Sequence, residues 1–293
     1  MTFEILDDRF RACIKPSAQL DHLYDGCRWA EGPAYFPAHR ALVWSDIPND
    51  RMLRYDEATG SVGVFREPAG YTNGHTVDRQ GRLVSCEHGA RRITRTEHDG
   101  SVTVLADNHR GKRLNSPNDV AVHADGAIYF TDPAYGIEGW YEGHAAKPEV
   151  DGCHVYRYDS GELNVVASDF DRPNGLAFTP GYTRLYVSDT GAPKHMRSFD
   201  VNRDGSLSGG EEFAKCTVGG FDGFRLDEAG RIWTSAGDGV HVYDPDGTLI
   251  GKVLVPETVA NVAWGGAKYN RLYICATTSL YAILLPVRGA RTI

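Results

Sequence analysis

Apolar and polar residues alternate along this chain in short runs, and a turn signal follows nearly every run. Stretches such as "RMLRYD", "HVYRYD" and "GVHVYD" place an apolar residue at about every second position, the pattern of a half-buried strand. Others, such as "GAIYFTDP", "TRLYVSDT" and "NRLYICAT", are β-branched and aromatic. Turn residues ("RQG", "ADG", "PGY", "EAG") precede most members of this second set.

These runs recur in a fixed order. Six copies superpose, and each opens with a polar residue at the mouth of a short strand: Glu31 in "EGPAYF", Asn73 in "NGHTVD", Asn118 in "NDVAVH", Asn174 in "NGLAFT", Asp222 in "DGFRLD" and Asn261 in "NVAWGG". The spacings are 42, 45, 56, 48 and 39 residues, the period of propeller blades. A second strand follows about ten residues on, then a third. A fourth appears in five copies. The sixth copy lacks one, and the segment around "AQLDHLY" near the N-terminus is predicted to supply it, closing the ring and covering an open edge. The expectation is an all-β, six-bladed β-propeller with four-stranded antiparallel blades, forming one domain over residues 1–293.

The long spacing comes from "YGIEGWYEGHAAKPEVDGC", residues 135–153. Loops of that length are often lids or binding loops, so the segment is expected either to cover the site or to be a surface excursion.

Composition narrows the function. The formal charge of −8 disfavours a nucleic-acid partner. The six scattered cysteines contain no CxxC pair and read as reduced thiols. The first residues lack the apolar core of a signal peptide, and no apolar run approaches a membrane span. The reading is a cytoplasmic monomer or homodimer with no membrane partner.

In a propeller the first strand of each blade lines the central channel, so the six opening residues should form a ring at one depth. Two carboxylates among amides make a hard-oxygen environment suited to Ca²⁺, Mg²⁺ or Mn²⁺. Without a cation, Glu31 and Asp222 would repel each other in a partly desolvated place. The alternative is that these residues cap strands and bond to one another or to channel water. Pattern alone leaves both open. Glycines after Glu31, Asn73, Asn174 and Asp222, and prolines before Asn118 and Asn174, favour close packing at the axis.

Through "EGPAYF", "SPNDVAVHADGAIYFTD", "RPNGLAFTPGYTRLYVSDTG" and "FDGFRLDEAGRIW", the chain resembles the regucalcin/gluconolactonase family, also called the senescence marker protein family. The resemblance runs from about Leu20 to Leu285. It implies a propeller with one divalent cation in the channel, Ca²⁺ first, with Zn²⁺, Mg²⁺ or Mn²⁺ as alternatives. It implies Glu31, Asn174 and Asp222 as metal ligands, with Asn118 completing the shell or touching substrate. The blade-three pattern is similar to that of bacterial gluconolactonases. Regucalcin-type members carry a sugar-binding arginine two residues before this asparagine; here Ser116 stands there and Arg113 lies nearby. Asn73, His75 and Tyr135 complete the candidate substrate contacts.

The implied reaction is opening of a sugar lactone such as D-glucono-1,5-lactone, a small-molecule substrate. The cation would polarise the carbonyl and Asp222 would accept a proton from water, with metal-bound water as the alternative nucleophile. Two other functions stay open: hydrolysis of another lactone or a phosphotriester on the same metal, and non-catalytic calcium binding. His88 and His241 are weaker candidates. The run "DVNRDGSLSGGE", residues 200–211, fits an EF-hand loop. No amphipathic helix brackets it, so a hairpin in blade four is expected. GxSxG, HExxH and Walker motifs are absent from the sequence.

Overall fold

Each sequence copy folds into one antiparallel sheet, and the six sheets close into a β-propeller. The computed structural model describes residues 2–291. The channel-lining strands are Ala30–Phe36, Thr72–Val77, Val120–Val122, Pro173–Phe178, Phe224–Leu226 and Val259–Gly265, for blades one to six. The second strands are Ala41–Asp46, Leu83–Glu87, Ile128–Asp132, Arg184–Asp189, Ile232–Ala236 and Arg271–Ala276.

All residues of the second strands are buried except the exposed Arg184 and the half-buried Arg271, each at a strand's start. That explains why the strands read as continuous apolar runs rather than alternating ones. The outer strands, such as Val62–Arg66 with pattern half-buried, exposed, exposed, exposed, half-buried, face water. The core is divided into six clusters, one at each junction between neighbouring blades. Tyr129 and Val155 of blade three pack with Phe178 and Val187 of blade four. Trp233 of blade five packs with Trp264 and Ile274 of blade six. The junction of blade six with blade one holds Trp44, Tyr55 and Tyr273, and Tyr35 stacks on Tyr273 with centroids 5.7 Å apart. Neighbouring blades are therefore held mainly by apolar burial, at roughly 25 cal/mol per Å².

The strand Leu20–Asp25 pairs with Ser279–Leu284 and completes blade six, as the "AQLDHLY" segment predicts. The N-terminal region does more than this. Phe3–Ile5 adds a fifth strand to blade five, pairing with Leu249–Leu254. The following 3₁₀ turn, Asp8–Cys13, buries Phe10 against Trp233. A two-stranded ribbon, Asn108–His109 with Lys112–Arg113, is a further addition between blades two and three.

The EF-hand-like run forms the expected hairpin between His195–Val201 and Leu207–Lys215. Asp204 accepts from the backbone and hydroxyl of Ser206 at 3.0 and 2.7 Å, a turn interaction. All six cysteines are free thiols. Among the described residues no helix is long and apolar enough to cross a membrane.

Candidate functional site

Bulges at the mouths of the inner strands turn the polar residues inward. Pairing of the first and second strands slips between Glu31 and Ala34, Thr72 and His75, Pro173 and Leu176, and Val259 and Asn261. A bulge leaves extra residues unpaired and re-aims a side chain. In blades three and five the inner strand begins just after Asn118 and Asp222. Glu31, Asn73, Asn118, Asn174 and Asn261 are all buried, while Asp222 keeps partial exposure.

The glycines after the ring residues let adjacent blades touch. A Cβ on Gly32 would stand 1.9 Å from the Asn73 carbonyl oxygen, and one on Gly175 would stand 2.4 Å from that of Asp222. Gly74 makes the same approach to the Asn118 carbonyl oxygen, and a Cβ on Gly223 would stand 1.9 Å from the side-chain amide of Asn261.

A second layer holds this one, and sequence reasoning missed it. Four of the second strands have a hydroxyl at the same place, Ser45, Thr131, Ser188 and Ser235, with Cys86 there in blade two and Cys275 in blade six. Ser45 Oγ donates to the Asn73 carbonyl at 2.9 Å, Thr131 Oγ1 to that of Asn174 at 2.7 Å, and Ser188 Oγ to that of Asp222 at 2.8 Å. The Asp222 N–H donates to Ser235 Oγ at 2.7 Å. The signal was present as the small polar residue inside "VWSD", "YFTD" and "YVSD".

Electrostatically the ring is under tension. Burial is the largest influence on both acidic residues, and it drives the Glu31 and Asp222 carboxyls well above the ordinary carboxylate range. For Asp222, repulsion from Glu31 comes next. Glu31 is partly relieved by Asn261 Nδ2, which donates to Oε2 at 3.0 Å, and by the Gly32 N–H. Asp119, one layer deeper, adds negative charge to both, and Arg225 reaches across from blade five to within 3.4 Å of it.

Among the described residues no three His, Cys, Asp or Glu side chains form a metal cage. The ring instead offers two carboxylates and several amide oxygens. Oxygen-only donors suit Ca²⁺, Mg²⁺ or Mn²⁺ better than Zn²⁺. A divalent cation would also cancel the repulsion that the protein's own groups leave. The residues present therefore fit such a cation.

The long insert is brought to this end of the channel. Gly136 N–H donates to Ser116 Oγ at 2.9 Å, so Ser116 pins the insert. Tyr135 faces Asn174, Thr190 and Asp222, and its phenol is pushed up to about 12, by burial first and the Asp222 charge second. The insert also carries Glu142, which sequence reasoning missed. It is half-buried, its carboxyl is raised by burial, and its charge acts on both Glu31 and Asp222. Only its place in a loop without strand pattern hid it.

Three candidates have other surroundings. His75 is fully buried, and its ring nitrogens meet Ser45 Oγ at 2.8 Å and Ser85 Oγ at 2.9 Å. Burial holds it neutral, with its pKa pushed down to about 3. It ties blade one to blade two and does not reach the mouth, because the bulge before it turns Asn73 there instead. Arg113 is exposed on the added ribbon and donates to the Ala90 carbonyl at 3.1 Å. His241 is buried in blade five against Asp238 at 2.6 Å.

Residues 29–278 match the protein family described as SMP-30/Gluconolactonase/LRE-like region. The chain is 29% identical over 301 residues to a gluconolactonase from Zymomonas mobilis, covering 94% of this chain and 83% of the relative. It is 30% identical over 260 residues to a pentonolactonase from Haloferax volcanii, covering 85% and 81%. A solved structure described as a gluconolactonase, from Xanthomonas campestris, is 41% identical with a TM-score of 0.91, covering 98% of this chain and 95% of that one.

Proposed function

The chain belongs to the SMP-30/gluconolactonase/LRE-like family, and on that footing we propose that it is a lactone hydrolase acting on sugar lactones at the channel mouth. The gluconolactonase and pentonolactonase relatives support the lactone class. The observation that carries the site is geometric: Glu31 and Asp222 stand at the mouths of the inner strands together with the buried amides of Asn73, Asn118, Asn174 and Asn261, and Asn261 Nδ2 donates to Glu31 Oε2 at 3.0 Å.

Glu31, Asn174 and Asp222 would hold one divalent cation, Ca²⁺ first, with Asn118 completing the set. Bound there, the cation supplies Lewis-acid polarisation of the lactone carbonyl. The remaining work falls to the chain. Ser188 and Ser235 hold the Asp222 backbone on both sides, so its carboxylate is presented at a fixed place. Asp222 accepts the proton of the attacking water. The Tyr135 phenol, protonated at neutral pH as any tyrosine is, is a hydrogen-bond donor beside Asn174 and Asp222. Asn118 and Asn73 hold sugar hydroxyls. The insert limits access of bulk water to this end.

The test is hydrolysis of D-glucono-1,5-lactone before and after chelation, with Ca²⁺, Mg²⁺, Mn²⁺ and Zn²⁺ restored separately. Loss on chelation and recovery with an oxygen-preferring cation is expected. Full turnover in excess chelator would overturn the proposal.

A further inference from the structure

An asparagine amide has two ends of similar size and opposite chemistry, and what a substrate meets at Asn73 depends on which end faces it. His88, just past the second strand of blade two, settles this. It is fully buried. Its Nδ1 lies 3.1 Å from the Glu142 carbonyl oxygen. A carbonyl can only accept, so Nδ1 carries the proton and Nε2 keeps a lone pair. Burial holds the ring neutral, with its pKa pushed down to about 4, so Nε2 remains an acceptor at neutral pH.

Nε2 lies 3.4 Å from Asn73 Nδ2. Facing a lone pair, the amide must present its NH₂ group, so Oδ1 points away from His88. Among the described residues no protein donor meets that oxygen. The imidazole is itself confined, because a Cβ on Gly136 would stand 2.5 Å from the His88 Cβ. The insert backbone thus fixes the His88 tautomer, and the tautomer fixes the amide.

We propose that Asn73 reads a hydroxyl of the substrate as a hydrogen-bond acceptor, and that His88, locked by the Glu142 carbonyl, is the positioning residue that sets this polarity. The proposal rests on the lactonase reading and names a specificity element within it. It selects for a hydroxyl at one ring position and against a deoxy or alkylated lactone there. A neutral hydrogen bond of about 1 kcal/mol corresponds to roughly a fivefold effect.

The experiment compares wild type, Asn73→Leu, Asn73→Asp and His88→Phe on D-glucono-1,5-lactone and on analogues lacking one hydroxyl each. Asn73→Leu should lower kcat/KM about fivefold on the parent lactone and leave one deoxy analogue unaffected. Asn73→Asp, which keeps an acceptor, should retain that discrimination, and His88→Phe should weaken it. An equal loss on every analogue, or a weakened Ca²⁺ affinity of Asn73→Leu by calorimetry, would overturn the proposal. Nitrogen-15 NMR of the wild-type imidazoles tests the orientation without turnover. Protonated Nδ1 at His88 is expected, and protonated Nε2 refutes the assignment. Absence of lactone turnover in wild type would count against the functional reading, and the NMR result would still decide the orientation of Asn73.

Discussion

Replacing Gly175 by alanine tests whether close blade contact positions the site. The added Cβ would stand 2.4 Å from the Asp222 carbonyl oxygen and 2.8 Å from Gly223 Cα. Non-bonded contacts normally open to about 3.5 Å, so blade five must retreat by roughly 1 Å. The same retreat stretches the bond from Ser188 Oγ to the Asp222 carbonyl, now 2.8 Å. Overpacking of this kind costs about 1–3 kcal/mol of stability, a fall of several degrees in Tm. The catalytic effect should be larger in proportion, because misplacing a reacting group by about 1 Å costs on the order of 100-fold, or ~2.7 kcal/mol. The assay is pH-indicator kinetics on D-glucono-1,5-lactone with thermal unfolding in parallel. Gly63→Ala is the control, since a Cβ there meets nothing within 4 Å among the described residues. If Gly175→Ala keeps wild-type kcat/KM and Tm, the link between glycine contact and the place of Asp222 is wrong.

Four further outcomes follow from the same geometry. Because Glu31 and Asp222 are raised in the fold, the cation-free folded protein holds protons that the unfolded chain has released, so stability should fall as pH rises. Buried histidines, lowered in the fold, contribute the opposite slope up to about pH 7.5, so the comparison is of wild type with Glu31→Gln, or with and without saturating Ca²⁺, by chemical denaturation between about pH 7 and about pH 8; the fall should be steeper in cation-free wild type. His75→Ala leaves a buried cavity, removes the partner of the Ser85 hydroxyl and one of the partners of Ser45, and should cost about 2–4 kcal/mol by urea denaturation, with KM unchanged in the fraction that folds. Arg113→Ala should leave kcat and KM within twofold of wild type, roughly the scatter of surface substitutions. Deleting residues 2–25 removes the strand that completes blade six and the fifth strand of blade five, and calorimetry should show loss of the cooperative transition.

The blades were legible because the chain repeats. Six polar openings at near-regular spacing, each before a strand, could be superposed without knowing any contact. The ring at the axis followed from propeller geometry, and the glycine contacts from their place beside the ring residues. His75 could not be separated from its neighbour Asn73 in the sequence: a bulge between Thr72 and His75 sends the two side chains to different surroundings, and bulges leave little trace in a hydrophobic pattern. Closeness in sequence to Asn118 does not reveal that Arg113 lies exposed on a short ribbon and donates to the Ala90 carbonyl. Glu142 and the role of His88 were hidden because the insert has no repeat to compare with. The extra strand at Phe3–Ile5 lies outside the repeat as well, and three residues are too few for alternation to show.

The most direct test is diffraction from crystals soaked in Mn²⁺, recorded for its anomalous signal, alongside lactonase assays of the same preparation. One peak within coordination distance of the Glu31, Asn174 and Asp222 oxygens, lost together with activity in Asp222→Asn, is the expected result. A peak only elsewhere, such as at the Asp200–Glu211 hairpin, or an empty channel in fully active protein, would contradict the account.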